Sequence, residues 1–188
     1  MNSPKQTSNE ALVIPLEPKK EQLKSQFKSK LLEQIPSVEI KLVYHKEVAS
    51  KDRVKILGTE QAADIVRALW NPNTIELQEE FKVIYLNNHN QIIGLYPHSK
   101  GSITSTQADL RLILIGALQC GAVAILLAHN HPSSNINPSD IDKTITKKIQ
   151  KASHLLDIAL LDHLIISKYG YYSFAEEDEL ESYDDLPF

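Results

Sequence analysis

Residues 122–142 read AVAILLAHNHPSSNINPSDID and join an apolar run to a group of polar side chains. The first seven residues are apolar without interruption, which predicts a strand buried on both faces. His129 and His131 follow where this strand ends, and Asp142 lies one turn into the helix that Ser139 opens. Because successive side chains of a strand alternate between its faces, we expect both imidazoles to point the same way.

Two neutral imidazoles and one carboxylate are the usual protein ligands of a catalytic zinc ion, which keeps its fourth position for water. The sequence has a single cysteine, Cys120, so a thiolate zinc site is not available within this chain. We therefore predict a zinc site formed by His129, His131 and Asp142. A second interpretation stays open for Asp142, because Ser139 and Asp142 also form a capping box that needs no metal. The two roles are compatible.

The surrounding sequence alternates between strand and helix patterns, which predicts a layered α/β domain. The first predicted elements are a helix capped by Thr59 and running through Trp70, and a hairpin over 81–87 and 91–97. A helix over 106–119, ended by Gly121, follows. After the central strand we predict a helix from Ser139 with Ile141, Ile145 and Ile149 inward, a strand over 158–167 and an edge segment YGYYSF. Upstream, residues 21–33 predict a short amphipathic helix and residues 38–44 a half-buried strand.

The length and charge distribution set the domain boundaries. We expect a flexible or helical N-terminal extension over 1–35, one domain over 36–175 and an acidic, solvated C-terminal tail over 176–188. The tail holds seven of the 24 acidic residues and no basic residue, so the other 175 residues carry 20 basic and 17 acidic groups. That near balance is not typical of a dedicated DNA-binding protein. With no apolar run of membrane length and no secretory signal pattern, we expect a cytoplasmic protein without a membrane partner.

The spacing H-x-H-x7-S-x2-D, met by His129, His131, Ser139 and Asp142, resembles the JAMM signature of MPN-type (JAB) metalloproteases. HNHPS followed by PS and D is similar to the RadC-like branch, which is historically linked to DNA repair, and the resemblance covers about residues 55–175. It implies a cytidine-deaminase-like, three-layer α/β/α domain with a mixed sheet and one zinc ion. The match to E-x-F-x-V places the family's general base at Glu79. The branch usually has glycine where this chain has Ser134.

The resemblance implies a zinc-dependent hydrolase that cleaves a peptide or isopeptide bond, with a peptide or a ubiquitin-like protein as substrate. Ser139 is then expected to donate a hydrogen bond to the oxyanion or to position the water. The alternative is a non-proteolytic DNA-repair or mobile-element accessory protein whose zinc domain binds a partner or nucleic acid. A nucleobase deaminase is excluded because it needs two cysteines. Asp162 and His163 are interpreted as a core polar contact, or as a pair behind the metal ligands.

Overall fold

The computed structural model describes residues 47–101 and 108–182, together with four exposed helical positions in a separate unit of residues 1–40. Those positions are Glu21, Lys24, Ser25 and Lys28. Most of the helix predicted over 21–33 and all of the strand predicted over 38–44 therefore lie outside the described residues. None of the helices among the described residues is long and apolar enough to cross a membrane.

Five strands form one sheet in the order β2-β1-β3-β4-β5, in which only β3 and β4 are parallel neighbours. A parallel pair needs a crossover between its strands, and the third helix provides it here. In chain order the elements are a 3-10 turn (Ser50–Asp52), α1 (Thr59–Ala68), β1 (Glu80–Leu86), β2 (Ile92–Lys100), α2 (Leu110–Cys120), β3 (Ala124–Asn130), α3 (Asp140–His154), β4 (Ala159–Ile166) and β5 (Tyr171–Ser173).

The central strand β3 is buried at every position, as its continuous apolar run predicts. Its side chains enter two separate apolar clusters, one on each face of the sheet. Leu126 packs with Val66 of α1 on one face, while Leu127 packs with Ile113 of α2 and Ile149 of α3 on the other. This arrangement confirms the predicted three-layer α/β/α fold. It also buries both faces of β3, the strand that leads to the histidines.

The helix ends agree with the sequence in one case and differ in another. Gly121 ends α2 in the left-handed conformation, with φ 65°, as predicted. The prediction that Thr59 caps α1 is wrong, because Thr59 is the first helical residue and the extended Gly58 precedes it. The side chain of Gln61 accepts a hydrogen bond from the Leu57 N–H at 2.8 Å, which ties the chain down before the helix begins.

One expectation about residue exposure also differs from the structure. Ile141, predicted to point inward from α3, lies in the first turn of the helix and is 77% exposed. Over its described part the acidic segment is exposed at residues 176–179 and 182, and it forms ion pairs with α3. Glu179 pairs with Lys143, and Glu181 pairs with Lys147. The domain boundaries themselves stay predictions.

Candidate metal centre

His129, His131 and Asp142 converge where β3 ends and α3 begins. The Nε2 atoms of the two histidines lie 2.9 Å apart. Asp142 directs Oδ1 to His129 Nε2 at 3.3 Å and Oδ2 to His131 Nε2 at 3.6 Å. All three potential ligand atoms lie within 4.8 Å of one another, close enough to share one ion. The structure therefore brings together the three side chains that the spacing singles out.

Asp142 combines the two roles that the sequence leaves open. Its Oδ2 accepts hydrogen bonds from the N–H and the hydroxyl of Ser139, at 2.7 and 2.6 Å, while its own N–H donates to Ser139 Oγ at 3.2 Å. This reciprocal pair is a complete capping box. Oδ1 is the oxygen that faces His129, so one carboxylate caps the helix and also borders the centre.

Burial and the neighbouring charges act differently on the two histidines. His129 is 1% exposed, and its burial lowers its pKa to about 4, although Asp142 opposes the shift. For His131, burial also lowers the pKa, but hydrogen bonds with Asp142 and Asn135, and the charge of Glu79, raise it overall. The pKa of Asp142 lies well below its usual range because hydrogen bonds and His129 outweigh the effect of burial. At neutral pH the centre therefore offers an ionised carboxylate and a neutral His129.

The hydrogen bonding of His131 fits a role as a metal ligand. Its Nδ1 lies 2.6 Å from the Asn135 carbonyl oxygen, which can only accept a hydrogen bond. A neutral His131 ring therefore carries its hydrogen on Nδ1 and presents the Nε2 lone pair to the centre. Anchoring the second ring nitrogen in this way is typical of metal-binding histidines. Together with a carboxylate and the absence of thiolates, this donor set suits a borderline or hard divalent metal.

Glu79 and the centre share one cavity of about 550 Å³, whose lining includes His129 and Asp142. Glu79 is 9% exposed and immediately precedes β1, the strand that pairs with β3. The cavity wall also carries exposed Ile141 and two basic side chains, Arg111 and Lys148. The expected general base thus lies beside the expected metal ligands, although the chain separates them by 50 residues.

Asn130, between the two histidines, is a functional candidate that the motif itself does not single out. Its side chain is fully buried on the opposite face of β3 and makes four hydrogen bonds. Its Oδ1 accepts from the Glu80 N–H at 2.7 Å and from Trp70 Nε1 at 2.8 Å, and its Nδ2 donates to the carbonyl oxygens of Ile75 and Gln78. The alternation of strand side chains signals the direction of Asn130, but nothing local signals its distant partners.

Other sequence candidates have clear positions. Asp162 forms a core polar contact, as expected, because its carboxylate accepts hydrogen bonds from Ser173 Oγ and the Ala175 N–H. His163 instead matches the second interpretation, because its Nε2 lies 2.9 Å from His129 Nδ1, behind the candidate metal centre. Arg111, which also lines the cavity, pairs with Asp109 at the start of its own helix.

The mixed α/β fold and the grouped His-His-Asp side chains define a domain with a candidate metal site. The model of the RadC-like JAB domain matches residues 57–180, and the chain belongs to this family. It is 50% identical over 99 residues to a UPF0758 protein of Flavobacterium johnsoniae, covering 53% of this chain and 43% of the relative. It is 46% identical over 99 residues to UPF0758 protein YfjY of Escherichia coli K12, covering 53% and 62%.

A UPF0758 protein of Porphyromonas gingivalis is 48% identical over 101 residues, which cover 53% of this chain and 44% of that relative. The chain thus spans about half the length of the curated relatives it matches. The residues that match the family model, 57–180, include the candidate metal centre.

Proposed function

We propose that this protein is a zinc-dependent hydrolase of the JAMM type, which cleaves a peptide or isopeptide bond. The observation that carries the proposal is the convergence of His129, His131 and Asp142 at the edge of a cavity that His129, Asp142 and Glu79 line. A catalytic zinc site needs an open position for water, and a cavity beside His129 and Asp142 supports that requirement. Membership of the RadC-like JAB family supports the same chemistry.

His129, His131 and Asp142 would hold the zinc ion. When bound, zinc lowers the pKa of a water molecule to about 7 and polarises the substrate carbonyl. Glu79 would accept a proton from the water at its carboxylate and deliver it to the leaving amine. The backbone groups of Gln78 and Glu80, on either side of Glu79, form hydrogen bonds with Asn130. These bonds would hold the Glu79 carboxylate against the cavity.

Ser139 would act as a hydrogen-bond donor to the oxyanion or to the attacking water. In the structure its hydroxyl donates to Asp142 Oδ2. The proposed role therefore requires the hydroxyl to exchange this partner when substrate enters, while the Ser139 N–H keeps its bond to the same carboxylate. Loss of one such donor typically slows a reaction by about 100- to 1000-fold.

The test is cleavage of fluorogenic peptides and of a lysine-linked isopeptide by zinc-loaded protein. We expect cleavage that a chelator stops and that Glu79→Gln lowers by about 100-fold or more, without loss of zinc. Glu80→Gln is the matched control, because the neighbouring Glu80 pairs with Lys82 and Lys100 instead. Equal losses in the two variants would contradict the role of Glu79.

The same assay separates the enzyme from a binding module. A non-proteolytic accessory protein would bind DNA or a protein partner and cleave no amide at any zinc loading. Nucleic-acid binding that falls steeply with salt, without any cleavage, would therefore favour the accessory role over the hydrolase.

A further inference from the structure

A buried chain of hydrogen bonds runs behind His129 and returns to the start of α3. His129 Nδ1 lies 2.9 Å from His163 Nε2. His163 Nδ1 lies 2.5 Å from Thr146 Oγ1, and Thr146 Oγ1 lies 2.6 Å from the carbonyl oxygen of Asp142. His129, His163 and Thr146 are each at most 1% exposed, so they make these contacts away from solvent. These hydrogen bonds thus connect the side chain of His129, one expected ligand, to the backbone of Asp142, another expected ligand.

The Asp142 carbonyl oxygen, at the end of this series of hydrogen bonds, determines which group donates and which accepts in each of them. A carbonyl oxygen only accepts, so the Thr146 hydroxyl donates to Asp142. Thr146 Oγ1 then accepts from His163 Nδ1, which must carry the hydrogen. A neutral His163 consequently has a lone pair at Nε2, which accepts from His129 Nδ1. The hydrogen of His129 is therefore held on Nδ1, and its Nε2 lone pair faces the centre.

Two independent carbonyl groups thus give the two histidines the same tautomer. The Asn135 carbonyl fixes the tautomer of His131. The Asp142 carbonyl fixes the tautomer of His129, acting through Thr146 and His163. Two nitrogen lone pairs then face each other across 2.9 Å beside a carboxylate. Such an arrangement is repulsive unless a cation lies between its members.

Packing leaves the rings little freedom to turn. The ring of His163 stacks on Phe174 with centroids 5.0 Å apart, and the ring of His129 stacks on Phe81 at 6.0 Å. Phe81 also contacts His163 at 5.5 Å. Aromatic packing therefore restricts the orientation of the His129 and His163 rings, and the hydrogen bonds determine their tautomers.

We propose that His163 and Thr146 are positioning residues that hold His129 as the Nδ1–H tautomer and thereby set the metal affinity of the centre. This inference rests on the proposed zinc site. Neither residue contacts the ion, and both act through His129. Partners of this kind typically account for about 10- to 100-fold in metal affinity.

Thr146 offers a matched pair of variants for the test. Thr146→Val keeps the shape of the side chain and removes the hydroxyl, while Thr146→Ser keeps the hydroxyl. Zinc affinity is measured by competition with a chromophoric chelator at one fixed pH, and the absorption bands of bound Co²⁺ report the ligand geometry. We expect Thr146→Val to bind zinc about 10- to 100-fold more weakly and to alter the Co²⁺ bands. Thr146→Ser should restore both towards the wild type.

Nitrogen-15 NMR of the histidine rings in the wild-type protein gives a test that needs no variant. We expect hydrogen on Nδ1 of both His129 and His163, before and after zinc is added. A hydrogen on His163 Nε2 would overturn the proposal, as would equal zinc affinities for Thr146→Val and the wild type. Failure of the wild type to bind zinc would overturn the proposed function as well, so the two failures are distinguishable.

Discussion

The Asn130 side chain and the Glu80 backbone are joined by a 2.7 Å hydrogen bond, and the same side chain binds the Gln78 carbonyl at 2.9 Å. Asn130 therefore holds the residues on both sides of Glu79. Because Asn130 lies between His129 and His131, the segment that carries the two histidines also fixes the expected general base. One amide thus sets the spacing between the two halves of the centre.

Replacing this amide should destabilise the protein strongly. Asn130→Ala leaves the buried Trp70 Nε1 and several backbone groups without their partner, and each such group costs about 1–3 kcal/mol. We expect the free energy of unfolding in urea to fall by at least about 3 kcal/mol. Asn137→Ala, at an exposed position, is the control and should change stability by less than about 0.5 kcal/mol. Similar values for both variants would contradict the role of Asn130.

Ser134 should be a site where glycine stabilises the protein. Its φ is 60°, in the left-handed region that favours glycine, and the RadC-like pattern usually has glycine at this position. Relief of this backbone strain, partly offset by the entropy of glycine, predicts that Ser134→Gly gains about 0.5–1 kcal/mol. Ser134→Ala keeps the strain and should not gain. Thermal unfolding of the two variants side by side measures the difference, and a gain in Ser134→Ala alone would contradict the explanation.

The acidic segment should be held to α3 more by Gln150 than by surface ion pairs. The buried side chain of Gln150 donates to the Glu181 carbonyl at 2.8 Å and accepts from its N–H at 3.1 Å. Exposed ion pairs such as Lys147 with Glu181 are usually worth less than about 1 kcal/mol. We therefore expect faster hydrogen exchange at the Glu181 amide in Gln150→Ala than in Lys147→Ala. The reverse order would show that charge dominates.

Acid should destabilise the metal-free protein through His129. Burial lowers the pKa of His129 in the folded state to about 4, from an ordinary value of 6.5. As the pH falls between these values, the unfolded chain takes up the proton first, so stability is full above about 6.5 and declines towards about 4. At about 1.4 kcal/mol per pKa unit, the contribution of His129 reaches about 3 kcal/mol, which the raised pKa of His131 partly offsets.

Urea unfolding at a series of pH values, with chelator present, measures this dependence. His129→Gln should flatten the slope between about pH 6.5 and 4, whatever its effect on absolute stability. His89→Asn changes an exposed histidine and should keep the wild-type slope. An unchanged slope in His129→Gln would contradict the assignment.

The features that the sequence predicts correctly are those written into local patterns. The apolar run before His129 predicts β3, and Gly121 predicts the end of α2. The spacing from His131 to Asp142 predicts that these two side chains lie close together. Each of these depends on neighbours in the chain or on a loop of fixed length.

The features that it does not predict depend on contacts between distant segments. The sequence leaves two interpretations open for His163. It lies behind His129 because β3 and β4 are parallel neighbours with Leu127 beside His163, and no local pattern gives that register. The exposure of Ile141 likewise depends on which distant segments pack against the first turn of α3, and helical periodicity does not specify them.

Elemental analysis of the protein purified without chelator measures whether His129, His131 and Asp142 bind zinc. We expect near-stoichiometric zinc in the wild type and its loss in Asp142→Ala, with Glu80→Gln keeping the metal. A wild-type protein that holds no zinc and cannot be reloaded, or an Asp142→Ala variant that keeps its full zinc content, would contradict this expectation.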